Sequence, residues 1–366
     1  MKKLNVAIIG QGRSGYSIHG QHFLKDAERF RVAFVVDALP ERREKAERVF
    51  GCRAFADYRE LFDHRDEIDF VVNATFSYMH APVAIDLLKH GFNVVSEKPF
   101  AGTAEQVDEM IAAAKESGRI LAPFQQSRVA PYFKKVREVI DSGVLGRIVS
   151  IDIQFSGFAR RWDWQTIQDF TAGSLFNTWE TEQSIIESCQ SAYVAGLTLL
   201  GGEEMPEIFC RMDRADTFGD AEDYVKLIMT LPGRPVVDVE ISSSNAYPWG
   251  TYNVQGTHGG LWASIKEAKW RWFDPKEAPE QKVIRTPLTS PDGEPAYCSE
   301  KLPWHEAHWV AGEGENPFES AVRDYYTNIY NHLTNGEALI VTPEQVRRQI
   351  RVIQRAHELN PLDKFC

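Results

Sequence analysis

Over its first third the chain alternates short, unbroken apolar runs with polar stretches of helical spacing. Residues 6–9, 32–36, 68–74, 93–96 and 120–124 read as strands buried on both faces. Between them, 16–30 can form a helix, and 40–50 is a charged helix with Ala46 and Val49 inward. Pro82 opens another helix, with Val83, Ala84, Leu87 and Leu88 on one face and Gly91 as its stop. Thr103-Ala104-Glu105-Gln106 has the form of a capping box, followed by the apolar face Val107, Met110, Ile111 and Ala114. Residues 55–62 read as a linker and turn. The alternation predicts a parallel, doubly wound sheet.

The texture changes at Arg147. Residues 148–158, 208–213, 224–231, 236–242, 252–255, 261–265 and 269–273 read as strands. Residues 181–200 read as one long helix, 275–303 as a proline-rich excursion, and 318–334 as a helix. A second capping box, Thr342-Pro343-Glu344-Gln345, starts a last helix that ends before Pro361. The prediction is an α/β domain over 1–125, then an α+β domain over 126–366 with a large, open, mostly antiparallel sheet. The last helix, about 342–359, is placed to pack back on the first domain.

Composition narrows this picture. With 366 residues, 43% apolar and 25% charged, the chain has the make-up of a two-domain globular protein. No apolar run approaches the ~20 residues of a membrane span, and Lys2-Lys3 leads into a strand without a signal-peptide pattern. The five cysteines are scattered and form no CxxC pair, so neither zinc nor a disulfide framework is indicated. The expected compartment is the cytoplasm. A net charge of -11 argues against nucleic acid as partner.

The candidate chemistry begins in the first apolar run. Gly10-x-Gly12-x-x-Gly15 follows that strand at once and opens a helix; Asp37 ends the next strand, about 20 residues beyond the last glycine. Gly10 permits a tight turn, Gly12 lets backbone approach a pyrophosphate, and Gly15 lets helix pack on strand. With Arg13 and Ser14, the helix start offers N–H groups and positive partial charge to phosphates. Asp37 can accept both hydroxyls of an adenosine ribose and would repel a 2′-phosphate. NAD is therefore favoured, with NADP as the alternative that Arg42 and Arg43 would support. Together these features make a Rossmann dinucleotide site. Glu97-Lys98-Pro99 sits at another strand's C-terminal end, where ligands bind in open α/β sheets.

With Asn73-Ala74-Thr75, His80, Arg128 and Gly173-Ser174-Leu175-Phe176-Asn177-Thr178, the sequence resembles the Gfo/Idh/MocA oxidoreductases, the family of glucose–fructose oxidoreductase and inositol dehydrogenases. The resemblance implies NAD(P)-dependent hydride transfer to or from a sugar, polyol or sugar acid. It implies a homodimer or homotetramer built through the flat face of the second sheet. It places Thr75, His80, Glu97, Lys98 and Gln125 at the cofactor, and Arg128, Trp164, Asn177 and Thr181 at the substrate. Lys98 would touch the reacting hydroxyl and stabilise developing alkoxide.

The family's second motif usually continues Asp-x-Gly-x-His-x-x-Asp. Here Asn177 stands for the first Asp, Trp179 for Gly, Thr181 for His and Ser184 for the last Asp. Neither threonine nor serine titrates near neutral pH, so neither replaces the base. Three readings follow. Another group serves as base, Glu180 first, then Glu182, His80, His305 or His308. Alternatively, chemistry is lost and a non-catalytic NAD(H)-binding sensor or regulatory protein remains. In the third, residues 179 to about 200 are altered by insertion, engineering or a compensated frameshift. NAD-dependent glycoside cleavage, which also starts by oxidising a sugar, is a lesser alternative. Phe158, Trp162, Trp164 and Trp179, with Arg160, Arg161 and Asp163, would suit a sugar, as would Tyr247 and Trp249; a core or subunit interface is the competing use.

Overall fold

The computed structural model describes residues 2–158, 204–215, 222–297, 300–312, 314 and 316–361. A parallel sheet comes first, in the order β3 (Arg53–Phe55), β2 (Phe30–Val36), β1 (Leu4–Ile9), β4 (Phe70–Asn73), β5 (Val94–Ser96) and β6 (Leu121–Pro123). β4, β5 and β6 are buried along their length and β1 nearly so, as expected for strands covered on both faces. The connecting helices are α1 (Gln21–Lys25), α2 (Pro40–Phe50), α3 (His80–Lys89) and α4 (Ala104–Ser117). α2 starts on a proline and stops at Gly51, in the left-handed region at φ +63°. Thr103 caps α4, its hydroxyl accepting the Gln106 N–H at 3.2 Å.

The strand order reverses between β1 and β4. The crevice outside their carboxyl ends is the switch point where such sheets bind ligands.

After α5 (Pro131–Asp141) comes the second sheet. Its order is β14 (His305–Val310), β13 (Glu267–Trp272), β12 (Gly259–Ala263), β11 (Tyr252–Gly256), β7 (Ile148–Ser156), β10 (Val236–Ser242), β9 (Tyr224–Thr230) and β8 (Glu207–Asp213). Its pairings are antiparallel except β10 with β7, which run parallel. Ile153 lies opposite Tyr252, whose ring meets Tyr132 and Phe133 of α5. That face is the packed one. The other carries Asp152, Gln154, Asn253, Asp238, Glu240 and Lys226.

Helices α6 (Pro317–Asn335) and α7 (Pro343–Leu359) return to the first sheet. Tyr326 is fully buried against Phe23, Phe30 and Phe124. Gln349 of α7 accepts from Gln125 at 2.7 Å, and Arg347 pairs with Asp108 of α4.

Two local expectations need correction. Residues 16–30 are not one helix: a wide helical turn covers Arg13–Gly20, α1 ends at Lys25, and Phe30 already belongs to β2. Residues 55–62 are more than a linker, because β3 ends at Phe55 and a tight helix, Tyr58–Glu67, follows under an Asp57–Glu60 capping box. His305 and His308 lie exposed in strand β14. The helix expected over 181–200 lies outside the described residues.

Candidate functional site

The glycine turn is shaped by contact. Gly10 sits at φ +88°, and a Cβ there would lie 2.2 Å from the Ala74 carbonyl oxygen, so the turns after β1 and β4 touch. A Cβ on Gly15 would lie 1.7 Å from the Gly10 carbonyl oxygen, which enforces glycine. At Gly12 the nearest atom to such a Cβ is Arg42 Nη1 at 3.8 Å, leaving ordinary space beside the backbone. No side chain caps the helix start at Gly12, and its first turn holds no acid. It is therefore an open, positive helix end, as a pyrophosphate requires. Asp37 accepts the Gln11 N–H at 2.7 Å and the Leu39 N–H at 2.9 Å, and Arg42 Nη1 stands 3.5 Å from it. Both carboxylate oxygens are thus oriented, each with a lone pair left for a ribose hydroxyl. Gln11 Oε1, buried in the same turn, has no hydrogen-bond partner among the described residues. These residues fit a dinucleotide.

The neighbouring turns are tied together from below. Asn73 accepts the Thr75 hydroxyl at 2.8 Å and donates to the His80 carbonyl at 2.9 Å. The His80 ring lies 2.6 Å from the Pro99 carbonyl oxygen (through Nδ1) and 3.1 Å from that of Thr75 (through Nε2). Burial lowers its pKa, against the opposing pull of those carbonyls. A neutral ring has one N–H to donate and lies against carbonyls on both sides. His80 therefore clamps two turns, and it is badly placed as a substrate base.

Lys98 is half-buried at the C-terminal end of β5, two strands from the glycine turn. Glu97 beside it faces inward and is 3% exposed. Its Oε2 accepts the Lys98 N–H at 2.9 Å, and its Oε1 lies 3.0 Å from His19 Nε2. Burial would raise its pKa, but the His19 hydrogen bond and charge, with Lys98, outweigh that and hold it down at about 2. His19 Nδ1 lies 2.7 Å from the Tyr326 hydroxyl. His22 stacks on Tyr326 with ring centroids 5.0 Å apart, and burial lowers its pKa to about 4. Sequence reasoning missed His19, His22 and Tyr326. The spacing of Gly15 and Gly20 was the available signal: a Cβ at Gly20 would lie 2.5 Å from Phe50 Cζ, so both glycines face packed neighbours. The Gln21 N–H reaches back to the Tyr16 carbonyl, a five-residue step that defines a π turn.

The remaining candidates divide. Gln125 is buried on Gln349, with its Oε1 unpartnered among the described residues. Arg128 is turned to Gln345 at the start of α7, and burial lowers its pKa to about 10. His305 and His308, three apart on one strand, point to opposite faces. They form no pair, and His305 meets Glu277 at 2.9 Å. Tyr247 is 93% exposed, while Trp249 lines a cavity of about 340 Å³ with Asp152, Lys226 and Asp238 on the outer face of the second sheet. Phe158 is exposed. Trp162, Trp164, Asn177, Trp179, Glu180, Thr181, Glu182 and Ser184 lie outside the described residues, as do Arg160, Arg161, Asp163 and residues 173–178. Among the described residues, no cluster of His, Cys, Asp and Glu could hold a metal, and no helix is long and apolar enough to cross a membrane.

Residues 4–125 match the model of an oxidoreductase family with an NAD-binding Rossmann fold, and residues 133–262 match the GFO/IDH/MocA C-terminal domain. The 2,7-anhydro-N-acetylneuraminate hydratase of Mediterraneibacter gnavus is 26% identical over 267 residues, 71% of this chain and 67% of the relative. A scyllo-inositol 2-dehydrogenase (NADP(+)) of Bacillus subtilis is 23% identical over 97% of this chain and 93% of its own length. In fold, the chain resembles the WlbA dehydrogenase from Bordetella pertussis, solved with NADH and UDP-GlcNAcA. The TM-score is 0.74 at 18% identity, covering 99% of each chain.

Proposed function

Because this chain belongs to the Gfo/Idh/MocA oxidoreductase family and carries its NAD-binding Rossmann domain, we propose that it is an NAD-linked dehydrogenase of a sugar, polyol or sugar acid. The observation that carries the reading is Lys98, half-buried at the end of β5 and fixed two strands from a glycine turn shaped for a dinucleotide. A nicotinamide bound there would accept the substrate's hydride at C4, or return it. Lys98 stabilises the alkoxide that develops as the hydride leaves the carbon. The hydroxyl proton passes to a base, for which Glu180 is the first candidate; it and Glu182 are the carboxylates next to Thr181, which stands where the family has its histidine. Burial would raise a glutamate toward neutral pH. Trp164, Asn177 and Thr181 are the substrate-binding candidates in this reading, and Arg128 braces α7. The outer face of the second sheet joins subunits.

A relative named as a hydratase favours a second reading, in which oxidation is transient and no NADH accumulates. The test is NAD⁺ reduction across scyllo-inositol, other polyols, aldoses and sugar acids, with product analysis alongside. Lys98→Met should lower turnover at least ~10²-fold, the scale of a lost catalytic group. An unchanged rate would remove Lys98 from the mechanism. Product without net NADH selects the second reading, and NADH binding without product leaves a binding protein.

A further inference from the structure

We infer that His19 is a positioning residue for the Lys98 turn, acting through the Glu97 carboxylate and itself held by Tyr326. The inference rests on the reading of Lys98 given above. Tyr326, His19 and Glu97 form a hydroxyl–imidazole–carboxylate chain with spacings of 2.7 and 3.0 Å. Tyr326 and His19 are fully buried and Glu97 is 3% exposed, so none of the three meets substrate. The arrangement is a strut and not a nucleophile with its base. Burial also raises the pKa of the Tyr326 hydroxyl, which stays protonated.

When the ring is neutral and the Tyr326 hydroxyl donates to His19 Nδ1, the ring proton sits on Nε2; when the ring is charged both nitrogens donate, and in either state Nε2 serves Glu97 Oε1. Glu97 Oε2 then takes the Lys98 N–H. A carboxylate this deep needs donors, since leaving it unmatched carries the desolvation cost of a charge. Removing His19 therefore gives Glu97 reason to turn toward water, and its bond to the Lys98 backbone goes with it.

The wide turn is what aims His19. On an α-helix the face of Gly15 returns at i+4, which is residue 19. Here the five-residue step gives that face to Gly20, against Phe50, and rotates His19 away from it toward β5. The glycine fingerprint and the Glu97-Lys98-Pro99 motif are thus joined by one side chain, at the cost of one irregular turn.

The test compares His19→Ala, His19→Gln, Tyr326→Phe and Lys98→Met with the parent protein. Glutamine keeps a donor where Nε2 stood. The first readout needs no substrate: amide hydrogen exchange at Lys98, with NADH affinity measured by nicotinamide fluorescence. His19→Ala should speed Lys98 exchange about tenfold or more by releasing a local hydrogen bond, leaving β1 and α4 unchanged. NADH affinity should stay within about twofold and kcat should fall about tenfold at constant KM, the mark of an interaction made in the transition state. His19→Gln should recover most of both losses. Adding His19→Ala to Lys98→Met should cost no further kcat. Parent-like Lys98 exchange in His19→Ala overturns the inference, as does equal loss in the Ala and Gln variants. If His19→Ala does not fold, Tyr326→Phe, which deletes one oxygen, carries the test with a smaller rise in Lys98 exchange; no rise overturns the inference. A fully active Lys98→Met would instead sink the catalytic reading of Lys98, with the exchange result still deciding the strut.

Discussion

Asp37 and Arg42 show how little separates two cofactor preferences at the scale of a residue. The carboxylate is fixed by the Gln11 and Leu39 N–H groups and is ready for ribose hydroxyls, while a guanidinium stands 3.5 Å away. The parent protein should bind NADH more tightly than NADPH. Asp37→Asn keeps the acceptor and removes the charge, so NADH affinity should fall and NADPH affinity rise, each by about tenfold. Equal affinities in the parent, measured by fluorescence titration, would refute this assignment. His22 makes a separate prediction. Its folded pKa of about 4 lies below the ordinary 6.5, so between those values the unfolded chain binds the extra proton. Stability therefore falls as pH drops through that window, by on the order of 3 kcal/mol for this group. His22→Phe should flatten the decline from pH 6.5 to 4 in urea unfolding. Glu97, with a pKa held at about 2, adds a loss that sets in as pH falls through the ordinary 4.5 and runs down to about 2.

At the scale of elements, the first helix carries the tightest constraints. Gly15 faces the Gly10 backbone and Gly20 faces the Phe50 ring. Backbone cannot move aside as a ring can. Gly15→Ala should abolish NADH binding, whereas Gly20→Ala should cost about 1–3 kcal/mol, the usual range for overpacking, and leave binding measurable. Urea midpoints and NADH titrations of both variants check this order. Most of the elements were legible because their sequences agree locally: continuous apolar strands, Pro40 and Pro343 at helix starts, Gly51 and Gly118 at helix ends. The π turn was not legible, because its extra residue is stabilised by packing at Gly20 and by the His19 contact, both distant in sequence. β14 was missed for a similar reason. His305-Glu306-Ala307-His308 lacks a strand's apolar alternation, and it is a strand because it borders β13.

Over the whole molecule, the chain's two ends share one core. Lys2 accepts from Tyr330, Arg29 donates to Thr327, and Tyr325 donates to the Pro123 carbonyl. Tyr326 fills the space between Phe23, Phe30 and Phe124. A chain ending at residue 312 should therefore fail to form the cofactor domain. Its expected behaviour is loss of NADH binding and of a cooperative thermal transition; retention of both would show that the first sheet stands alone. The outer face of the second sheet pairs Asp152 with Asp238 and Asn253, and Glu240 with Gln154 and Lys226. Such a polar face is not buried for hydrophobic gain alone, so any subunit contact made there must match its charges.

The parallel sheet, the glycine turn, Asp37 and the place of Lys98 at a strand end could all be read from the residues in order. These depend on neighbours within a few residues and on short-range backbone geometry. It took the folded arrangement to turn Glu97 inward, to make His80 a clamp on two turns, to bring Arg128 to α7 and to part the two histidines of β14. The fold also brought residue 326 to residue 19. Side-chain direction at those positions is set by burial and by hydrogen-bond partners from other elements, and no local pattern encodes them.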